Sequence, residues 1–332
     1  MEIRKLRQAE YPYLQEFLAK FWKPNHALVK SKDLLDFQHR QKGAYNYYAC
    51  IEGDTIWSLL GFIPTCLYDS DIHSFDAWGA IWKTREDCPY PGVGSMLMRK
   101  LLMNEGKDSL AGIGISRDAK ILDQLFGMTV SYLSHYYILN DNCPIFKVCR
   151  NVHNMQNAPA GTSKIRIETT VSLNPSETVE CSYYPHKTME YLINRYQNHP
   201  IYRYSFWKIY EGDELKSIWV VRRITVNDSS IMRIVDMLGD IEKIGNMYKQ
   251  IQDKLVQETC EYLDCLNYGI SSSTFFSLGF SLHDITSADS IIPNYFEPFE
   301  LRNVEIEIAY KTNSGRYIAF KGDADQDRPN II

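Results

Sequence analysis

The sequence predicts an α/β protein with mixed sheets of the α+β kind, folded as two tandem domains built on one plan. Three observations lead there. The chain has 332 residues, 45% hydrophobic and 23% charged, about twice a usual domain and enough to bury two ordinary cores. The order of strands and helices read from hydrophobic periodicity in the first half recurs in the second. And in the first half a strand passes through a short segment holding Gly92 and Gly94 straight into an apolar-striped helix, the arrangement in which a helix N-terminus receives an anion.

Ile3 to Leu6 reads as a short strand. Leu14, Phe17, Leu18 and Phe21 then recur at helical spacing, with Pro12 in the first turn, where its missing N–H costs little. A second helix is expected from Ser31 to about Gln41. Asn46 to Cys66 is rich in Tyr, Ile, Trp and Leu and is interrupted by Gly53 and Asp54, the pattern of a hairpin. A strand from about His73 to Lys83 leads into the glycine turn and its helix. A strand from Leu110 to Ile115, a helix and a strand pair follow, with Phe126-Gly127-Met128 marking the junction.

Asn140 to Ser163 is dense in Asn, Pro, Ala, Gly and Ser and lacks periodicity. The expected division is a first domain over residues 1–145, a linker over 146–163, and a second domain over 164–332. The second domain repeats the order: a strand near Ile165, helical residues from His186 to Asn198, a hairpin from Tyr202 to Ile224, the strand SIMRIVDML, and a helix striped by Ile241, Ile244, Met247, Tyr248, Ile251 and Leu255. Leu278-Gly279-Phe280 echoes the earlier glycine junction.

The net charge of -5, with no run of five basic residues, excludes a phosphate-backbone stripe and with it nucleic acid as a partner. The start, MEIRKLRQAEY, lacks the apolar core of a signal peptide. The longest apolar run, Ile56 to Leu67, is too short to span a bilayer and is broken by Pro64. A soluble, cytoplasmic protein, monomer or homodimer, is expected. The eight cysteines form no C-x-x-C pair and read as core thiols; no metal site is expected. Asp323, Asp325 and Asp327 alternate near the C-terminus, but Arg328 stands where a calcium loop needs glycine.

The glycine turn offers backbone N–H groups, the positive end of a helix and no Cβ to bar a pyrophosphate. A nucleoside-triphosphate loop would need Gly-Lys-Ser/Thr where Val93, Gly94, Ser95 and Met96 follow Gly92. A dinucleotide fingerprint would need a third glycine at position 97, which is Leu97, and an acidic residue ending the next strand, which ends Gly114-Ile115-Ser116. Coenzyme A remains. Here Pro89-Tyr90-Pro91-Gly92-Val93-Gly94 resembles the Gln/Arg-x-x-Gly-x-Gly/Ala motif of the GCN5-related N-acetyltransferases (GNAT), departing at Pro89.

That resemblance, which covers residues 1 to 140 well and the rest in outline, implies two tandem GNAT-like domains, the second without a coenzyme A loop because it carries Met237-Leu238-Gly239-Asp240 at the matching place. It implies acyl-CoA as a co-substrate, with no permanently bound cofactor. Ile81, Trp82 and Lys83 would lie beside the pantetheine, and Gly92, Val93, Gly94, Ser95 and Met96 would cradle the pyrophosphate. The family's tyrosine, which protonates the departing thiolate, is replaced by Asp123, a candidate donor if burial raises its pKa.

For the acceptor, the loop FWKPNHALVKSKDLLDFQH places Asn25, His26 and Lys30 between the first two helices. Either His26 bonds or deprotonates an acceptor, or it sits in a helix-joining turn. Asp76, on the strand beside the thioester, either orients an ammonium group or is a solvated strand residue. Arg203 and Trp207 share one face of a strand and could meet a diphosphate and a ring. The tandem order, the WKPNH loop and the tail with Asp323, Asp325 and Arg328 resemble nucleotide-sugar N-acyltransferases of bacterial surface polysaccharide (O-antigen or capsule) synthesis. What this implies is transfer of an acetyl or 3-hydroxybutyryl group to a dTDP-3-amino-3,6-dideoxyhexose. The alternatives are a protein, peptide or aminoacyl acceptor, or a non-catalytic coenzyme A-binding protein.

Overall fold

A computed structural model describes residues 1–154, 164–313, 315–324 and 327. In chain order the first half runs β1 (Glu2–Arg7), α1 (Tyr11–Phe17), α2 (Ala27–Lys30), α3 (Lys32–His39), β2 (Arg40–Gln41), β3 (Ala44–Glu52), β4 (Thr55–Pro64), β5 (Asp76–Thr84), α4 (Val93–Asn104), β6 (Ser109–Ile113), α5 (Arg117–Leu125), β7 (Thr129–Tyr132) and β8 (Ser134–Leu139). The second runs β9 (Ile165–Thr170), α6 (Met189–Leu192), β10 (Ser205–Glu211), β11 (Glu214–Val226), β12 (Ser229–Leu238), α7 (Tyr248–Gln257), β13 (Tyr262–Tyr268), α8 (Ser272–Leu278), β14 (Ser281–Leu282), β15 (Tyr295–Phe296), β16 (Phe299–Glu300), β17 (Glu307–Thr312) and β18 (Ala319–Phe320).

Two sheets form, in the orders β1-β3-β4-β5-β6-β17-β7, with β2 on β3, and β9-β10-β11-β12-β13-β8-β14, with β18 on β13. Read from β1 and from β9 they are the same sheet. Each has one parallel pair, β5 with β6 and β12 with β13, and each pair is joined by a crossover helix, α4 or α7, as parallel neighbours require. The copying reaches helix ends: the helix after each first strand closes in a widened turn, with Lys23 N–H on the Leu18 carbonyl and Asn198 N–H on the Ile193 carbonyl, both at 3.0 Å.

The expected cut at 146–163 does not separate the sheets. β8 lies in the second sheet and β17, from the far end of the chain, in the first, so each half supplies the strand next to the last of the other's sheet. Buried charge holds the exchange. His135 of β8 bonds Asp264 of β13 at 2.8 Å, and Asp264 takes two bonds from Arg233 of β12. Residues 155–163 of the expected linker lie outside the described residues. The helix expected from Ile241 is shorter: Ile241–Lys243 is a single 3-10 turn and α7 starts at Tyr248.

Alternation along the strands decides what each face meets. On the first sheet, Tyr47, Leu59 and Ile81 pack against α1 to α3, and Tyr48, Leu60 and Ala77 against α4. Further along the face of α1 to α3, Trp78, Ala111, Ile113 and Ile308 share a core with Phe206, Val220, Val235 and Leu266 of the second sheet. Among the described residues no helix is long and apolar enough to cross a membrane.

Candidate active site

β5 and β6 stay paired only from Asp76–Ser109 to Gly79–Gly112. Beyond that they part, and β5 is bulged there: Leu60 faces Trp82 and Phe62 faces Gly79, so Gly61 alone opposes Ala80 and Ile81. A cavity of about 220 Å³ fills the opening, lined on one side by Trp22, Ile81 and Ile113, on the other by Trp82, Met98 and Met128, and by Asp123. Backbone groups of the parted strands that would otherwise pair line a slot for an extended ligand.

At the mouth of the slot the chain turns into α4. Gly92 is the N-cap with φ +73°, a left-handed conformation that favours glycine, and it leaves the first amides of α4 without partners in their own helix. A Cβ on Gly94 would stand 3.2 Å from Thr84 Oγ1 and 3.3 Å from Trp82 Nε1, so the helix start lies directly on the strand that lines the slot. Two side-chain contacts brace the turn: Tyr90 donates to Glu52 at 2.6 Å, and Arg85 pairs with Asp87 at 2.6 Å.

Asp123 is 3% exposed, on the face of α5 turned to the slot. Burial alone pushes its carboxyl up to about 7. A group at that value holds a proton and can give it up near neutrality.

The matching place in the second sheet is filled. β12 and β13 pair from Met232–Leu263 to Ile234–Cys265 and then part, but there the C-terminal segment inserts. β18 pairs with Asn267 and Tyr268, Lys321 N–H bonds the Leu266 carbonyl, and Gly322 N–H bonds the Val235 carbonyl at 2.9 Å. A Cβ on Gly322 would lie 2.5 Å from that Val235 oxygen, so only glycine allows the approach. Arg195 donates to the carbonyls of Gly322, Asp323 and Ala324, and Lys187 sits 2.5 Å from both Asp236 and Asp323.

This insertion and the core account for several residues expected at the acceptor. Asp323 is fully buried in the ion pair with Lys187, so it faces no ligand; Asp325 and Arg328 lie outside the described residues. Trp207 is 1% exposed and packs beside Trp219 in the second core, its ring centre 6.4 Å away. Arg203 is exposed and bonds the His199 and Tyr202 carbonyls. His26 is buried as the N-cap of α2, its Nδ1 accepting from Leu28 N–H at 3.2 Å, while Asn25 and Lys30 are exposed on that turn. Asp76 sits at the closed end of the slot, buried and bonded by Ser74 and Ser109, tying the start of β5 to β6. The loop between the helices reaches the slot through Trp22 instead.

The GCN5-related N-acetyltransferase from Anabaena variabilis superposes with a TM-score of 0.55 at 11% identity, covering 94% of this chain and 72% of that one. The fold is that of the GCN5-related N-acetyltransferases. A second such protein, from Kribbella flavida, gives a TM-score of 0.51 at 8% identity over 94% of this chain and 70% of that one. No protein-family model and no curated protein sequence matches the chain. The GNAT fold expected from the glycine turn is therefore present, twice over, with its sixth strands exchanged.

Proposed function

We propose that the protein is an acyl-CoA-dependent N-acyltransferase with one active site per chain, in the slot between β5 and β6. One observation carries this reading: of two equivalent openings, the one with Gly92 and Gly94 at its mouth is open, and the other is occupied by the protein's own C-terminal segment. An acyl-CoA would run its pantetheine along Ile81, Trp82 and Lys83, with its pyrophosphate at the amides of Val93, Gly94, Ser95 and Met96.

The chemistry asks for little beyond placement. A neutral amine attacks the thioester carbonyl, forming the C–N bond, and backbone N–H groups at the bulge hold the oxyanion. The C–S bond then breaks, the nitrogen releases its extra proton to water, and the thiolate takes a proton from Asp123, which is refilled from solvent. The carboxyl's burial and its position on the slot support that role.

The acceptor is proposed as a primary amine. The narrower acceptor, the 3-amino group of a dTDP-3-amino-3,6-dideoxyhexose for surface polysaccharide, rests on side chains that are buried in structural roles here, Asp323 and His26 among them, so it stands only as one member of the test panel. The test is coenzyme A binding by calorimetry, followed by thiol release from acetyl-CoA with dTDP- and UDP-linked amino sugars, peptides and small amines. Thiol release that depends on one amine supports the reading and names the acceptor. No coenzyme A binding at millimolar concentration would overturn it.

A further inference from the structure

The wall of the slot opposite α4 and α5 carries an indole. The widened turn Leu18–Trp22 ends α1, and turns of this type recur at functional sites. It sets Trp22 against the core of the α1 to α3 face and among the slot residues, beside Ile81 and Ile113 and across from Met98 and Met128. The glycine turn and α4 lie on that other side. A thioester entering past Gly94 and Trp82 would have Trp22 on the opposite wall of the cavity.

The repeat provides an internal comparison. In the second half the same widened turn, Ile193–Gln197, ends in a glutamine whose Oε1 accepts from Leu173 N–H at 2.8 Å. The half with the filled slot thus places a backbone-bonded amide where the half with the open slot places an indole. The ring borders a cavity of about 220 Å³ that the thiol end of the donor and the acyl group would share, so the size of residue 22 bears directly on the room left for the chain.

We infer that Trp22 sets the acyl-chain length, walling the slot opposite α4 so that the donor is a short-chain acyl-CoA. The inference rests on the donor proposed above and adds its specificity. The test is the affinity of coenzyme A, acetyl-CoA, butyryl-CoA and hexanoyl-CoA, measured by calorimetry on the full chain and on Trp22→Ala and Trp22→Phe. The full chain is expected to bind acetyl-CoA at least tenfold more tightly than hexanoyl-CoA. Trp22→Ala should abolish or reverse that ratio while still binding coenzyme A, which reports that it is folded, and Trp22→Phe should keep part of it. If the full chain binds coenzyme A but takes hexanoyl-CoA as well as acetyl-CoA, or if both variants leave the ratio where it was, Trp22 does not gauge the chain. If the full chain binds no coenzyme A, the donor itself is wrong and the inference falls with it.

Discussion

Replacing Asp123 with asparagine keeps the shape of the side chain and removes its charge. In the folded protein burial holds this carboxyl at about 7, against an ordinary value of 3.8, a difference of about 3 units. At about 1.36 kcal/mol per unit that amounts to about 4 kcal/mol. The sign follows from where the proton sits. Between about pH 4 and 7 the unfolded chain has lost it and the folded chain has kept it, so this residue lowers stability as pH rises, by about 1.4 kcal/mol per unit, and levels off above 7. An asparagine there has no charge to desolvate. Urea unfolding followed by circular dichroism at pH 4, 6 and 8 should then show Asp123→Asn gaining on the parent, from little at pH 4 to as much as about 4 kcal/mol at pH 8. All other groups titrate alike in both proteins and cancel. A gap that does not change with pH would mean that Asp123 ionises as an ordinary carboxyl, and its role as proton donor would go with it. In turnover, the parent kcat should decline as pH passes about 7, and the variant should be slower by tenfold or more and lack that decline.

The remaining expectations concern the cradle, the plug and the exchanged strands. Gly94→Trp puts a ring against Trp82 and Thr84 and should remove coenzyme A binding in calorimetry while the melting curve shows a folded protein; normal binding would place the ligand elsewhere. Titration to saturation should give one coenzyme A per chain, and two would mean that the C-terminal segment leaves the second slot. Asp264→Ala strands the buried Arg233 and should cost about 3–5 kcal/mol in urea unfolding. A chain ending at residue 300 lacks β17 and β18, leaving β6 and β7 of the first sheet without the strand between them; it should lose coenzyme A binding although residues 1–145 are intact.

Much of this protein follows from local sequence. Hydrophobic spacing over short windows places α1, the β3–β4 hairpin, α4 and the strand SIMRIVDML, because a helix or strand must turn its apolar side inward whatever its partner is. Gly92 is legible for the same reason: a chain passing directly from strand to helix needs a residue free to take positive φ. Asp123 is visible as a candidate, but its protonation depends on burial that only packing creates.

What local pattern does not carry is the identity of the partner. Ser134–Leu139 reads as a strand beside Thr129–Tyr132, yet the two lie in different sheets, and Glu307–Thr312 completes a sheet from which most of the second half of the chain separates it. Strand periodicity specifies a face and is silent about which edge will accept it. The same holds for polar residues. Asp76, His26 and Asp323 look like chemistry in the sequence because they are ionisable and near the right motifs, but Ser109, Leu28 N–H and Lys187 satisfy them inside the fold. Trp22 makes the opposite case, an apolar residue that the parting of β5 and β6 turns into a wall of the slot. Sequence alone determined the elements and the glycine turn, since those answer to backbone geometry and local burial; tertiary structure decided which slot stays open and which charges are spent on the fold, since those depend on segments far apart in the chain meeting in space.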